Sequence, residues 1–393
     1  FCRKYGMRGA FLMAAALLFA HTAAAIDYGV SVENDLESSP SSIANYITAS
    51  PWFKFVFNSR VSFFFSFDFI NENTNVGWNF VPQLGTTEFV ITPVPNLRIA
   101  AGRTAYTDAS TVIADGIFDG VTGNYSFAYG RFTFSTFYTG LLQKDQTKII
   151  MSSADQASYD DSENYYAPKK VFTSGDIELR DIFGYKNLFR AGYLTLFDIA
   201  QEKHDHQYFS LNAQLPVKST FVFAFSSVIG TSEKEEDIIV SNTGQLSVQW
   251  LPKMTRAQDN FMLTYIWSSG LGDTNTGPFT PVTFHEYGDV LPVPLNNISI
   301  CKFSYTVENA PLFLLTTTLR WFFRTSRQIP LYYEEDFSDA MSLGQEWYTS
   351  INWAPLSDAM FDAGLGFFFP SVFFKQYSEM LLWKFRLNVK VTL

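Results

Sequence analysis

Residues 60–70 read RVSFFFSFDFI, and large apolar side chains recur there at every second position. The positions on one side are Val61, Phe63, Phe65, Phe67 and Phe69, and those on the other are Arg60, Ser62, Phe64, Ser66 and Asp68. Because successive side chains of a β-strand point to opposite faces, this period predicts a strand with one apolar and one mostly polar face. The last residues of the chain, 380–393, repeat the pattern.

The same period recurs along the chain and predicts about eighteen strands, with sixteen as the alternative count. The expected strands are 26–33, 45–57, 60–71, 86–92, 97–105, 117–128, 131–140, 171–180, 188–197, 206–216, 220–230, 238–250, 260–270, 298–307, 312–324, 343–354, 360–369 and 380–393. Most are close to the length of about 9–11 residues that crosses a bilayer as a tilted strand.

The connections between these strands alternate between short and long. Short links include 58–59, 129–130 and 217–219, whereas the longer segments are 34–44, 72–85, 106–116, 141–170, 198–205, 231–237, 271–297, 325–342 and 370–379. Short periplasmic turns and long outer loops produce this alternation in membrane barrels. We therefore predict an all-β fold, a transmembrane antiparallel up-and-down β-barrel. The alternative is a secreted soluble β-protein, but no repeat of the kind that propellers and solenoids carry is visible.

The first residues predict export. Arg3, Lys4 and Arg8 precede an apolar run, 10–20, and small residues at 23–25, the order of a secretory signal peptide. We expect Sec-dependent export, cleavage after Ala25, and a single barrel domain over 26–393. Loss of three basic residues and no acidic ones would change the net charge from −10 to −13.

Charged residues on the polar faces of the strands predict a basic inner wall. The bases are Lys54, Arg60, Arg98, Arg131, Arg180, Arg190, Lys302, Arg320, Arg324, Lys384, Arg386 and Lys390, and the fewer acids are Asp68, Asp176, Glu178, Glu346 and Asp362. Rings of Arg and Lys favour anions in a pore. Two alternatives stay open, an anion-preferring wall and a wall whose bases are neutralised by these acids or by loop carboxylates.

Few histidines in the sequence could bind a metal ion or act as a catalytic base. His204 and His206 are weak candidates for a metal site, and His285 beside Glu286 is the one remaining base that a hydrolase could use. No nucleophile elbow, phosphate loop or Cys/His cluster occurs in the sequence. We therefore expect no enzyme activity, no cofactor and no nucleic-acid partner.

Two long loops have the composition of segments that fold into a barrel. Segment 141–170 is polar and rich in Tyr, and segment 271–297 contains several prolines with apolar residues between them. Long ordered loops can enter the lumen of a barrel and narrow it. The second segment is the predicted constriction.

One motif carries a resemblance. Gly102-Arg103, followed by Asp115-Gly116-Ile117-Phe118-Asp119-Gly120-Val121, resembles a stretch of alginate-export-like and related substrate-specific porins. The resemblance implies an eighteen-stranded outer-membrane barrel with a basic lumen that passes an anionic polysaccharide outward. Such barrels commonly end in Phe or Trp, which the barrel-assembly machinery reads, whereas this chain ends in Leu393.

The expected function is that of an outer-membrane porin for small hydrophilic solutes, in contact with outer-membrane lipid and assembled by that machinery. One rival is a fatty-acid-transporter-like barrel, but such barrels carry an N-terminal plug and here the first strand is expected directly after Ala25. The other rival is a non-conducting surface adhesin or structural barrel. The sequence leaves the solute and the oligomeric state open.

Overall fold

A computed structural model describes residues 25–75, 77–161, 163–182, 186–199, 205–218, 220–234, 237–252, 258–271, 276–310, 312–327, 341–371 and 381–393. Eighteen strands form one antiparallel sheet in which each strand pairs with its neighbours in the sequence, and β1 pairs with both β2 and β18. The sheet is therefore a closed barrel. Within the described residues, no helix is long and apolar enough to cross a membrane.

The strands follow the chain in order around the barrel. They are β1 Ala25–Ser38, β2 Ile43–Asn58, β3 Val61–Thr74, β4 Gly77–Val94, β5 Leu97–Thr107, β6 Asp115–Phe127, β7 Gly130–Tyr138, β8 Lys170–Arg180, β9 Leu188–Asp198, β10 Asp205–Val217, β11 Phe221–Lys234, β12 Asp237–Trp250, β13 Gln258–Ser268, β14 Ile298–Ala310, β15 Phe313–Arg324, β16 Ser342–Leu356, β17 Ala359–Pro370 and β18 Leu382–Thr392. Two helices lie between β7 and β8, α1 Lys144–Thr147 and α2 Ser153–Asp160. The predicted fold, strand count and strand order are confirmed. The predicted signal peptide lies outside the described residues except for Ala25.

Alternating exposure separates the two faces of the wall. On β10, Tyr208 is 1% exposed and Phe209 is 48% exposed, and the alternation continues through Ser210 and Leu211. Phe65 of β3 pairs with Phe53 of β2, and Phe53 pairs in turn with Tyr28 of β1, which is 72% exposed. Directly paired residues share a face, so the predicted apolar set of β3 faces outward. The outer face is apolar, and the inner face carries most of the polar and charged residues.

β1 and β4 are longer than predicted, and two expected loops are correspondingly short. β1 continues to Ser38 and β4 begins at Gly77, so most of the expected loops 34–44 and 72–85 is strand. The expected loop 231–237 is also mostly strand. Acidic residues of β1 and Pro82 of β4 made these stretches look like loops, but the acids face the inner side of a paired strand. The two loop tips are tied together, because Asn75 donates to Ser41 O at 3.0 Å and accepts from Ile43 N–H at 3.2 Å.

Candidate functional site

Among the residues that the structure describes, three connections enter the barrel from the end opposite to the short turns. We call them loop A (108–114), loop B (139–169) and loop C (269–297). Loops A and C contact each other, because the N–H of Val282 donates to Ile113 O at 2.8 Å. Loop C also reaches the wall at β10, where Tyr208 Oη donates to Thr280 O at 2.6 Å.

The wall residues that these loops contact show that the loops lie inside. Tyr208 and Glu346 both bond loop C, and each is next in sequence to an exposed apolar residue, Phe209 and Trp347 respectively. The bonded residues therefore lie on the face opposite to the exposed apolar one. A loop that contacts β10 and β16 on this face crosses the interior of the cylinder.

Apolar residues of the loops pack with inward aromatic residues. Their buried cluster joins Ile113 of loop A, Leu142 and Ile149 of loop B, and Phe279, Val282 and Leu295 of loop C to wall residues that include Phe118, Phe137, Phe172, Phe322 and Phe368. Most of these side chains are 0–1% exposed. The segment predicted as the constriction, 271–297, thus has its described part, from residue 276, folded into the barrel.

Loop A is held by one carboxylate. Asp108 accepts hydrogen bonds from the N–H groups of Ser110 at 2.7 Å, Ile113 at 2.8 Å and Ala114 at 2.9 Å. Burial raises the pKa of Asp108, and the hydrogen bonds to Ser110, Ala114 and Ile113 oppose that rise. At its tip, Ser110 O accepts from Ser226 Oγ on β11 at 3.5 Å. Loop A therefore reaches from β5 to a distant part of the wall.

Loop B is held by a buried ion cluster. Lys170 Nζ lies 2.7 Å from Asp198 Oδ2 on β9 and 3.1 Å from Asp155 Oδ2 on α2, and all three side chains are almost fully buried. Asp155 also caps α2 by accepting from Ser152 N–H at 3.1 Å. Breaking a buried charge pair leaves an uncompensated charge, so this cluster fixes α2 against the wall.

Loop C is held by Glu346 on β16. The carboxylate accepts from the N–H groups of Asp289 at 3.0 Å, Val290 at 2.9 Å and Leu291 at 3.0 Å, and Arg320 Nη1 donates to it as well. Arg320 also donates to the Asp289 carboxylate. Glu346, predicted as a pore-lining acid, is 0% exposed because loop C covers it.

Several predicted wall bases meet acids that sequence analysis missed, at the seam between β1 and β18. Their ion pairs are Lys384 Nζ to Glu37 Oε1 at 3.2 Å, Arg386 Nη2 to Asp35 Oδ2 at 2.6 Å, and Lys390 Nζ to Glu33 Oε2 at 3.3 Å. The signal was available, because the acids alternate in the sequence VSVENDLES, but a strand ending at residue 33 excluded two of them. We call this set the seam ladder.

Arginines surround Glu178 on β8. Its carboxylate lies 2.6 Å from Arg180 Nη2, 2.8 Å from Arg190 Nε and 3.5 Å from Arg131 Nη2. We call these four residues the arginine cluster; it carries more positive than negative charge. A cavity of about 290 Å³ lies beside it, lined also by Thr122, Asn124, Thr133 and Asp176. Arg98 borders the same cavity and pairs with Glu88 at 2.6 Å.

The remaining predicted wall residues have separate positions. Arg60 lies in the turn after β2, not in a strand, because its N–H bonds Asn58 Oδ1 at 2.8 Å. Lys54 faces Asp27, Lys302 faces Arg320, Arg324 is buried at the end of β15, Asp68 accepts from Ser50 at 2.6 Å, and Asp362 accepts from Asn352 at 3.4 Å. With Asp27, Glu33, Asp35, Glu37 and Glu88 added, the acids of the inner face are more numerous than predicted. On the inner face, basic residues outnumber acidic ones within the arginine cluster.

The Gly-Arg and Asp-Gly motif builds an ion pair on the outer face. Arg103 Nε lies 2.9 Å from Asp119 Oδ1 and Nη2 lies 2.8 Å from Oδ2, and Arg103 also donates to the carbonyls of Leu84 and Leu141. Gly102 has a positive φ of 122°, and a Cβ there would lie 2.1 Å from Thr87 O. The motif therefore shapes the wall and anchors loop B at the rim.

Of the two weak metal candidates, the structure describes only His206. His204 lies outside the described residues, and His206 is buried and stacked on Tyr208 with ring centroids 5.9 Å apart. Across the part of the chain that the structure describes, no group of three His, Cys, Asp or Glu residues could hold a metal ion.

Comparison with known proteins finds similar barrels. No family model matches the chain, and no curated protein sequence matches it. Among solved structures, the outer membrane protein OprD from Pseudomonas aeruginosa is 13% identical, with a TM-score of 0.60 and coverage of 94% of each chain. Pseudomonas aeruginosa OccK5 (OpdH) is 10% identical, with a TM-score of 0.63 over 95% of this chain and 99% of that one. Acinetobacter baumannii OccAB1 is 10% identical, with a TM-score of 0.62 over 95% and 97%. The predicted resemblance to large outer-membrane barrels is confirmed for the fold.

Proposed function

We propose that this chain is an outer-membrane channel through which small hydrophilic solutes diffuse. The closed sheet leaves no unpaired strand edge, and its outer face is apolar, which is what hydrocarbon requires of a spanning structure. The inner face is polar and charged. The likeness in fold to the outer membrane protein OprD supports the same location.

The observation that carries this proposal is the difference in exposure between two parts of the inner wall. Where loops A, B and C pack, charged side chains are buried: Arg320 is 9% exposed and Lys170 is 1% exposed. Along the seam ladder, Arg386 is 40% and Lys390 is 41% exposed. Solvent therefore reaches the wall on the side of β18, β1 and β2, and we propose that solutes pass there and through the cavity beside the arginine cluster.

Anion preference is a narrower proposal, and it rests on the arginine cluster. The seam ladder pairs each base with an acid, so that wall has little net field. The three arginines around Glu178 outnumber it, and a confined positive charge attracts anions, while the acids Glu88, Asp108 and Asp176, which also line the cavity, reduce this surplus. We propose a modest preference for anions that originates at this cluster.

Export and assembly complete the proposal. Residues 1–25 would direct Sec-dependent export, and the barrel-assembly machinery would insert the mature strands next to outer-membrane lipid. Leu393 supports closure, because its N–H donates to Val30 O at 2.8 Å and its own O accepts from Val30 N–H at 3.0 Å. An apolar terminal residue paired into β1 is thus part of the ring.

Reconstitution in planar bilayers tests the proposal. We expect stepwise single-channel currents in potassium chloride and, in a salt gradient, a reversal potential of the sign set by chloride. Folded barrels that insert and give no current would contradict the channel and favour the surface-structural alternative. Cation selectivity with normal conductance would contradict anion preference alone.

A further inference from the structure

The turn of loop C that faces β16 has the geometry of an anion-binding site. The N–H groups of Asp289, Val290 and Leu291 are consecutive and converge on one point, 2.9–3.0 Å from the oxygens of the Glu346 carboxylate. Consecutive backbone N–H groups that point to one side form a concavity that binds anions. Arg320 adds a guanidinium to the same carboxylate.

The surrounding residues are shaped to this arrangement. A Cβ at Gly288 would lie 2.0 Å from Leu291 O and 3.0 Å from Glu346 Oε2, so the turn has no room for a side chain there. The N–H of Tyr287 donates to Val293 O at 2.9 Å and closes the base of the turn. Glu346 is 0% exposed, whereas the Asp289 side chain is 37% exposed. The carboxylate is therefore enclosed, and solvent reaches the site from the Asp289 side.

We propose that residues 288–291 and Arg320 form a carboxylate-binding site whose ligand in this structure is the protein's own Glu346, and that this contact keeps loop C inside the barrel. Glu346 acts as a tethered ligand, because it belongs to the wall while the backbone donors belong to the loop. Releasing it would free loop C from β16. The consequence for solute passage rests on the proposed function, whereas the docking of the loop does not.

The charge and the geometry of the site both favour a carboxylate over a neutral group of the same shape. Oε1 accepts from Asp289 N–H and Arg320 Nη1, and Oε2 accepts from the N–H groups of Val290 and Leu291. A carboxylate has acceptor sites for all four donors. An amide of the same shape would turn an NH₂ group toward the N–H groups of the turn or toward Arg320. Donors left facing donors are costly when buried.

Chemical rescue tests the site without measuring a current. Replacing Glu346→Ala removes a methylene and a carboxylate, a fragment of the size of acetate. In detergent, we expect hydrogen exchange of a peptide spanning 286–293 to accelerate about tenfold or more, because hydrogen bonds to a charged group contribute at least that factor. Sodium acetate should slow the exchange again, whereas sodium chloride of equal ionic strength and acetamide should not.

Two further variants make the result decisive. Glu346→Gln should also accelerate exchange, but acetate should not correct it, since the amide fills the space. Asp362→Ala removes another inward carboxylate, from β17, and should leave exchange at 286–293 unchanged with or without acetate. Heat-modifiable migration on gels confirms that each variant is a folded barrel.

The proposal is overturned if acetate fails to slow exchange in folded Glu346→Ala, or slows it equally in Glu346→Gln. Absence of channel current in the unmodified protein would contradict the proposed function and would leave this exchange result standing.

Discussion

Arg386 on the last strand holds Asp35 on the first strand in a two-point contact, with Nε 3.0 Å from Oδ1 and Nη2 2.6 Å from Oδ2. These residues are 351 positions apart in the sequence. Planar two-point pairing between guanidinium and carboxylate adds geometric specificity to the attraction. The contact therefore helps to set the register in which the barrel closes.

Removing this contact should weaken closure. Arg386→Gln is expected to lower the free energy of unfolding by about 1 kcal/mol, since the pair is partly exposed and solvent screens it. Urea unfolding in detergent, followed by heat-modifiable migration, measures the change. The double variant Asp35→Asn/Arg386→Gln is the control, and it should lose less than the sum of the two single changes if the pair interacts directly.

The two faces of β3 should respond differently to charge. Phe65→Arg places a guanidinium on the outer face among the rings of Phe53 and Phe63 and should cost about 2–4 kcal/mol and impair insertion. Phe64→Arg is the matched control, because Phe64 points inward and stacks on Trp52 at 6.1 Å. Insertion yield into liposomes compares the two. Equal losses would contradict the register of β3.

The arginine cluster should determine ion preference. Arg190→Gln removes one charge beside the cavity and should shift the reversal potential toward cation selectivity, because the local surplus of base falls. Lys390→Gln removes a base from the seam ladder, where it leaves Glu33 without its ion pair, and should shift selectivity in the same direction. A shift with Lys390→Gln only would place the selective element at the seam instead. Bilayer recordings in a salt gradient give both values.

Loop C should become less firmly docked in acid. Burial lowers the pKa of His285, and the nearby carboxylates Asp115 and Asp108 oppose this change. His285 Nε2 forms a hydrogen bond with Thr283 Oγ1 at 2.9 Å. Since the docked state disfavours the proton, docking is fully stable above the ordinary histidine pKa of about 6.5 and weakens as the pH falls through it.

Hydrogen exchange near residues 279–287, corrected for the intrinsic effect of pH, measures this loss. The charged groups next to His285 in the sequence and in contact with its segment are Glu286 and Lys148, which form an ion pair at 3.6 Å. His285→Gln should remove the dependence. Unchanged docking of the unmodified protein between neutral pH and about pH 5.5 would contradict the prediction.

Gly102 should tolerate no side chain. Gly102→Ala would place a Cβ 2.1 Å from Thr87 O at a φ of 122°, and we expect a loss of about 2 kcal/mol or more. Gly123→Ala is the control, because its nearest neighbour, Phe134 O, is 4.0 Å from the added atom. Unfolding in urea compares the two variants, and equal stability of both would mean that the backbone at Gly102 relaxes freely.

The local alternation of side chains was sufficient to predict the strands of the barrel wall. The alternation at β3 and β18 predicts the correct faces, since a strand's side-chain period does not depend on distant contacts. The predicted bounds of β1 and β4 were wrong, because charged and proline-containing stretches resemble loops in sequence. Their pairing partners, such as Arg386 for Asp35, lie too far along the chain for a local pattern to reveal.

The interior could be predicted only in part. The composition of segment 271–297 indicated a loop that enters the barrel, but its attachment to Glu346 depends on a contact across 57 positions in the sequence. Arg103 and Asp119 were recognised as a motif and not as an outward ion pair. A charge on the outer face contradicts the simple pattern, and the carbonyls of Leu84 and Leu141 that satisfy Arg103 come from elements remote in sequence.

The unequal strand lengths give the outer mouth a slanted profile. β4 has 18 residues and β7 has 9, so the wall near β4 stands higher by roughly 20 Å once strand tilt is allowed for. At the end of this longer strand lie the two described tips that Asn75 joins to Ser41. In the proposed orientation, a short epitope inserted at Ser41 would be displayed on the cell surface, away from the loops that fold inside the barrel.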